Sequence, residues 1–172
     1  MILMLILKSL YFFLPAYLAN LIPPLLKNVP FLDKPVSEKH FGSHKTWRGI
    51  VAAIILGGFV FWLQKISYFN GYTKLALIDY NGFSVLLGFL LGAGAIFGDL
   101  VKSYFKRKSG VKPGESWKPW DQLDFVIGAI LLSFFVYVPR AEVILVLLLV
   151  SPLLHILFNL LGYWLKINKS VW

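Results

Sequence analysis

Long apolar runs separated by short polar stretches organise this chain. Five can be traced, at about Ile2 to Leu26, Gly49 to Leu63, Phe83 to Phe105, Leu123 to Val138 and Val143 to Leu165. Crossing a hydrocarbon layer of ~30 Å takes roughly 20 helical residues, so the second and fourth runs are short and rely on tilt or on their flanks. Helices are the expected form, because an open strand edge leaves backbone groups unpaired in lipid. Pro15, Pro23 and Pro24 are expected to kink or end the first helix, and Pro152 to bend the fifth. Gly88, Gly92, Gly94 and Gly98 form two pairs at four-residue spacing, a pattern that predicts close backbone approach between membrane helices.

The polar stretches set the orientation. Lys27, Lys34, Lys39, Lys45 and Arg48 lie between the first and second runs; Lys106, Arg107, Lys108, Lys112 and Lys118 follow the third; Lys166 and Lys169 are in the tail. The opposite connections hold only Lys65, Lys74 and Arg140. The asymmetry predicts five transmembrane helices with the N-terminus outside and the C-terminus cytoplasmic. The expected fold is therefore an all-α integral membrane protein, multi-pass in the cell membrane, with residues 1–172 forming a single transmembrane domain. Its charged cytoplasmic loops would form the active site. Lys8 lies inside the first run, which is too long for an ordinary cleaved signal and reads as a retained helix.

Composition narrows the function classes. The chain is 58% hydrophobic over 172 residues, outside the range of soluble domains. It has no cysteine, which excludes disulfides, zinc thiolate sites and thiol nucleophiles. The net charge of +9 sits in short loops beside apolar segments, where membrane topology accounts for it, so no nucleic acid is expected as a partner.

One stretch departs from this economy. Gly98 to Asp124 holds three aspartates and six lysines or arginines between two apolar runs. If the third helix continues past Gly98, Asp99, Lys102, Ser103, Lys106 and Arg107 share one face. Snorkelling to headgroups suffices for Lys106 and Arg107. It does not suffice for Asp99, since a carboxylate near the membrane interior needs a metal or a cation. Asp121 and Asp124 stand at the entrance to the fourth helix, where Asp121 serves equally as an N-cap. Together with Asp99 they make a hard-oxygen set suited to Mg²⁺. Carboxylates beside a larger group of cations are what a metal-bound polyphosphate requires.

The remaining polar residues carry weaker signals. In GSHKTWRG, Gly42 to Gly49, the side chains of Lys45, Thr46 and Arg48 and the helix N-terminal amides can reach a phosphate, although juxtamembrane positives alone are common. His40 and His44 are four apart but have no third ligand nearby, and read as interfacial polar residues. His155 reads as a hydrogen-bonded packing residue. Asn20 and Asn159 either bond between helices or contact substrate. Trp117 and Trp120 line a base or lipid pocket or belong with Trp47, Trp62, Trp164 and Trp172 to an interfacial belt. There is no Ser/His/Asp logic and no P-loop. A lipid phosphate, already ionised at neutral pH, would need no general base as nucleophile; positioning and charge neutralisation suffice.

The stretch GAGAIFGDLVKSYFKRKSGVKPGESWKPWDQLDFVIGA resembles the signature of the CDP-archaeol synthases, the archaeal branch of the membrane cytidylyltransferases that include CDP-diacylglycerol synthase. PAYLANLIPPL, GSHKTWRG and the tail residues Asn159, Lys166 and Trp172 extend the similarity over most of the chain. The resemblance implies CTP and an isoprenoid ether-lipid phosphate, 2,3-di-O-geranylgeranylglyceryl phosphate, as substrates in the bilayer, with Mg²⁺ as cofactor and CDP-archaeol and pyrophosphate as products. Asp99, Asp121 and Asp124 match the metal-binding aspartates, and Ser103, Lys106, Arg107 and Lys112 match positions around the nucleotide phosphates. Where bacterial relatives commonly have a His-Gly-Gly loop and an Asp-Arg-X-X-Asp ending, this chain has Pro119, Trp120 and Gln122. Two rivals differ in product: a CTP-dependent polyprenol kinase, giving phospholipid and CDP, and a lipid-binding or transport component with no turnover.

Overall fold

The structure is a computed structural model that describes residues 2–111, 117 and 120–164, apart from the side chains at 158–159 and 161–163. Among these residues there are six α-helices, α1 (Ile2–Leu25), α2 (Glu38–Phe41), α3 (Trp47–Phe69), α4 (Leu86–Lys108), α5 (Trp120–Ser133) and α6 (Ala141–Trp164), with a 3₁₀ turn at Tyr80–Gly82. Among the described residues there is no strand, only an isolated antiparallel bridge between Pro35 and Thr46. The all-α expectation holds. By length and composition α1, α3 and α4 can each cross a membrane, and α6 is apolar from Ala141 to Leu157. With 14 residues, α5 extends about 21 Å at 1.5 Å per residue.

Helix bounds differ from the apolar runs for identifiable reasons. The second run stops at Leu63 because Gln64 and Lys65 follow, yet α3 continues to Phe69. Gln64 is buried and donates to the Tyr11 carbonyl of α1. Lys65 donates to the carbonyls of Tyr80, at 2.7 Å, and Phe83. Polar side chains with such partners do not have to end a membrane helix. Helix α5, which carries the fourth apolar run, starts before that run and ends at Ser133, whose hydroxyl donates to the Ile130 carbonyl at 2.8 Å. In α1, Pro15 is buried inside the helix, and Pro23 and Pro24 fall in the last turn.

Helix α4 is central, packing against α1, α3 and α5, while α6 lies on α5 and α1. Phe12, Phe13, Phe61, Leu87, Leu91, Val126 and Leu147 are fully buried between the helices. Ile55, Phe59, Leu86, Leu149 and Leu153 face outward, the inverse of a water-soluble bundle. The α4 glycines make the close approaches their spacing predicts. A Cβ on Gly57 of α3 would lie 2.6 Å from the Gly88 carbonyl oxygen and 2.8 Å from the Gly92 Cα. One on Gly94 would lie 2.6 Å from the Ala129 Cα of α5, and one on Gly98 would collide with the Asp124 carbonyl. Each pair of helices thus meets backbone to backbone, and the α4–α5 contact falls where both helices carry their aspartates.

Candidate active site

Three elements deliver the charged side chains. The first is the connection between α1 and α3. Its chain doubles back, with the Val36 amide donating to the Lys45 carbonyl at 2.7 Å, the Trp47 amide to Lys34 at 3.2 Å and the Arg48 amide to Leu32 at 2.8 Å. The Arg48 guanidinium, nearly buried, donates to the carbonyls of Val29 and, at 3.1 Å, Lys27. The Thr46 hydroxyl caps α3 by accepting the Gly49 amide at 3.3 Å. Held on both sides, this connection points Lys45 at α4, where its ammonium pairs with Asp99.

The second and third elements are the C-terminal half of α4 and the first turns of α5. Asp99, Lys102 and Lys106 follow helical spacing, as read from the sequence. Because Gly98 sits on the Asp124 backbone, these side chains meet Asp121 and Asp124 directly. The Lys102 ammonium is the hub, 3.2 Å from Asp99, 3.3 Å from Asp121 and 2.7 Å from Asp124. Lys106 lies 3.3 and 3.4 Å from the two oxygens of Asp121. Side-chain exposure grades from 6% at Asp124 to 28% at Lys45, so the cluster opens on the Lys45 side.

Asp121 also accepts the Trp117 amide, which ties the chain ahead of α5 to its first turn. It lies before the apolar run that begins at Leu123. Burial pushes its carboxyl up, but the Trp117 amide and the Lys102 and Lys106 ammonium groups outweigh that and hold it below the usual carboxylate value. Asp121 is thus the second residue of α5 and not its N-cap: its carboxylate accepts the amide of the residue four before it and pairs with Lys102 and Lys106.

Of the residues singled out in the sequence, the structure gathers Lys45, Asp99, Lys102, Lys106, Asp121 and Asp124. Ser103 is buried beside them on α4. Thr46 and Arg48 are engaged elsewhere, as helix cap and as backbone tether. Arg107 is half-buried near the end of α4 and makes no ion pair among the described residues. Lys112 lies outside the described residues. His40 bonds to Ser37 at 2.9 Å and stacks on Tyr104, with ring centroids 6.2 Å apart, while Trp117 and Trp120 pack on each other at 6.3 Å. Sequence reasoning missed the position of His155, which lies within electrostatic reach of Lys102 and Asp121. A polar residue in an apolar helix was the available signal, but it does not say which neighbour it meets. The Tyr17 and Ser151 hydroxyls, 2.6 Å apart, join α1 to that part of α6.

As they stand, no three acidic or imidazole groups among the described residues are close enough to hold a metal. In donor chemistry the aspartates nevertheless suit a hard divalent ion, and the Lys102 ammonium lies at their point of convergence.

A family model described as CarS-like, CDP-archaeol synthase, matches residues 2–172. The chain belongs to this family. The CDP-archaeol synthase of Pyrococcus furiosus is 36% identical, with 97% of this chain and 98% of the relative covered. Those of Methanosarcina mazei and Methanococcus maripaludis are 32% and 33% identical, covering 92% and 99% of this chain and 99% of each relative. A solved structure described as an intramembrane enzyme for archaeal membrane lipids biosynthesis has the same fold. It aligns with a TM-score of 0.70 over 90% of this chain and 94% of its own, at 24% identity. The CDP-archaeol synthase resemblance read from the Gly92 to Ala129 signature thus extends over the whole length.

Proposed function

We propose that this member of the CDP-archaeol synthase family transfers CMP from CTP to 2,3-di-O-geranylgeranylglyceryl phosphate, giving CDP-archaeol and pyrophosphate. The observation that carries the reading is a family match along residues 2–172 whose signature segment folds into the one dense cluster of paired charges among the described residues. An oxygen of the lipid phosphate attacks the α-phosphorus of CTP; the α–β bridging bond breaks and pyrophosphate leaves with the electron pair. Asp99, Asp121 and Asp124 would hold Mg²⁺, which would supply Lewis-acid neutralisation of the charge on the phosphates. Lys45, Lys102 and Lys106 neutralise the triphosphate and the departing pyrophosphate. No side chain has to remove a proton, because the attacking phosphate is already ionised.

Five crossings, with the cluster on the cytoplasmic face, complete the proposal. What supports it is that Lys45, the C-terminal half of α4 and the start of α5 meet at the end of the bundle that carries most of the lysines and arginines. The short α5 would sit in the bilayer with its first turn drawn into this charged end.

The test is incubation of purified protein with labelled CTP, Mg²⁺ and a panel of lipid phosphates, with products separated by chromatography. CDP-lipid and pyrophosphate are expected. CDP with a newly phosphorylated lipid would instead assign a kinase, and no nucleotide turnover would remove the enzyme reading. Asp99→Asn should abolish metal-dependent pyrophosphate release; normal turnover by that variant would remove Asp99 from the site.

A further inference from the structure

Among the described residues, three ammonium groups, Lys45, Lys102 and Lys106, pair with three carboxylates, Asp99, Asp121 and Asp124. A neutral cluster has little net field to attract a free divalent cation. Its centre is also filled. The Lys102 nitrogen is 2.7 to 3.3 Å from oxygens of all three aspartates, whereas Mg²⁺ demands oxygen ligands at about 2.0–2.1 Å. A divalent ion cannot share that point with the ammonium. It has to displace Lys102 and draw the carboxylates inward.

Displacing the ammonium alone is costly. Lys102 is largely buried, with 15% of its side chain exposed, and a buried lysine deprived of its carboxylates needs another anion. A nucleotide triphosphate brings that anion together with the metal. The flexible four-carbon stem lets the ammonium turn from carboxylate to phosphate without backbone movement. From these contacts we propose that Lys102 is a resident counter-cation that keeps the aspartates closed to free metal and yields them when a nucleoside triphosphate arrives. Metal and nucleotide then bind as a coupled pair, each raising the affinity for the other by the same factor. Lys102 is thus a gate on metal entry as well as a phosphate contact. This inference rests on the cytidylyltransferase reading of the cluster.

Mn²⁺ binding, followed by electron paramagnetic resonance on the purified full chain without lipid substrate, tests it. In the wild type, CTP should tighten Mn²⁺ binding at least tenfold. In Lys102→Met, nucleotide-free Mn²⁺ binding should be at least tenfold tighter than in the wild type, and the CTP effect should shrink towards none. Lys102→Arg, which keeps a cation in place, should bind Mn²⁺ as the wild type does. Nucleotide-free Mn²⁺ affinity that is unchanged or weaker in folded Lys102→Met overturns the proposal. If Lys102→Met does not fold, the wild type decides: binding as tight without CTP as with it overturns the proposal equally. Failure of the wild type to make CDP-lipid would instead sink the assigned reaction, and would leave the nucleotide-free comparison readable.

Discussion

Replacing Gly98 by alanine probes how the two halves of the cluster are held together. The new Cβ would lie 2.7 Å from the Asp124 carbonyl carbon and closer still to its oxygen, against 3.4 Å or more for an ordinary contact. The colliding atoms are backbone, so no side chain can rotate away. Helices α4 and α5 must part by about 0.7 Å or more, the shortfall in that carbon contact, at an overpacking cost of typically 1–3 kcal/mol. The same displacement stretches the Lys102–Asp124 pair from 2.7 Å to about 3.4 Å, beyond good hydrogen-bond range. A misplacement approaching 1 Å can cost a reaction that depends on positioning about 100-fold. Gly98→Ala should therefore lose roughly 10- to 100-fold in CDP-archaeol formation while still folding. Gly57→Ala is the control, because its Cβ would meet the Gly88 carbonyl oxygen at 2.6 Å, a backbone clash on the α3 side of α4 that is milder than the one at Gly98. The assay is initial-rate CDP-lipid synthesis in detergent beside thermal unfolding of the same samples. If Gly98→Ala loses no more turnover than Gly57→Ala at equal folded fraction, the α4–α5 contact does not position the site.

Three further outcomes follow from individual contacts. Lys45→Met should raise the KM for CTP at least tenfold with a smaller fall in kcat, since Lys45 lies on the more exposed side of the cluster; steady-state kinetics at varied CTP separates the two. Arg48→Met removes two charge-assisted bonds to the Val29 and Lys27 carbonyls and should lower stability by about 2–3 kcal/mol, read as a fall in Tm. The Asp121 carboxyl is held below its ordinary value, so its stabilisation is complete above the unfolded value of about 3.9 and disappears as pH falls through the lowered folded value. The Tm difference between wild type and Asp121→Asn should be constant near neutrality and should close on acidification below about pH 4.

Periodicity made one half of the site legible. Asp99, Lys102 and Lys106 fall on a common face by helical arithmetic alone, and Asp99, whose place in an apolar helix demanded a metal or a cation, pairs with Lys45 and Lys102. The partners of that face were not legible, because they depend on contacts distant in sequence. Lys45 and Arg48 are equivalent juxtamembrane cations in the sequence, yet one turns to Asp99 and the other to carbonyls beyond the end of α1. What separates them is the backbone doubling between Leu32 and Arg48, which no local pattern encodes. The end of α3 was misjudged for the same reason. Gln64 and Lys65 look like the edge of a membrane segment until the carbonyls of Tyr11, Tyr80 and Phe83 are placed beside them. The glycine pairs gave close approach but not its direction, which splits between α3 and α5.

The Asp99–Lys102 pair bears on how the chain enters its bilayer. Lone ionised residues at the centre of an inserting helix cost about 2.5–3.5 kcal/mol each. These two are one turn apart on the same helix, 3.2 Å between charged atoms, so they can neutralise one another before any neighbouring segment has docked. Helix α4 brings its own counterion through biogenesis, and the cluster can be completed later by Lys45 and the start of α5, without a stage at which a bare aspartate waits in lipid.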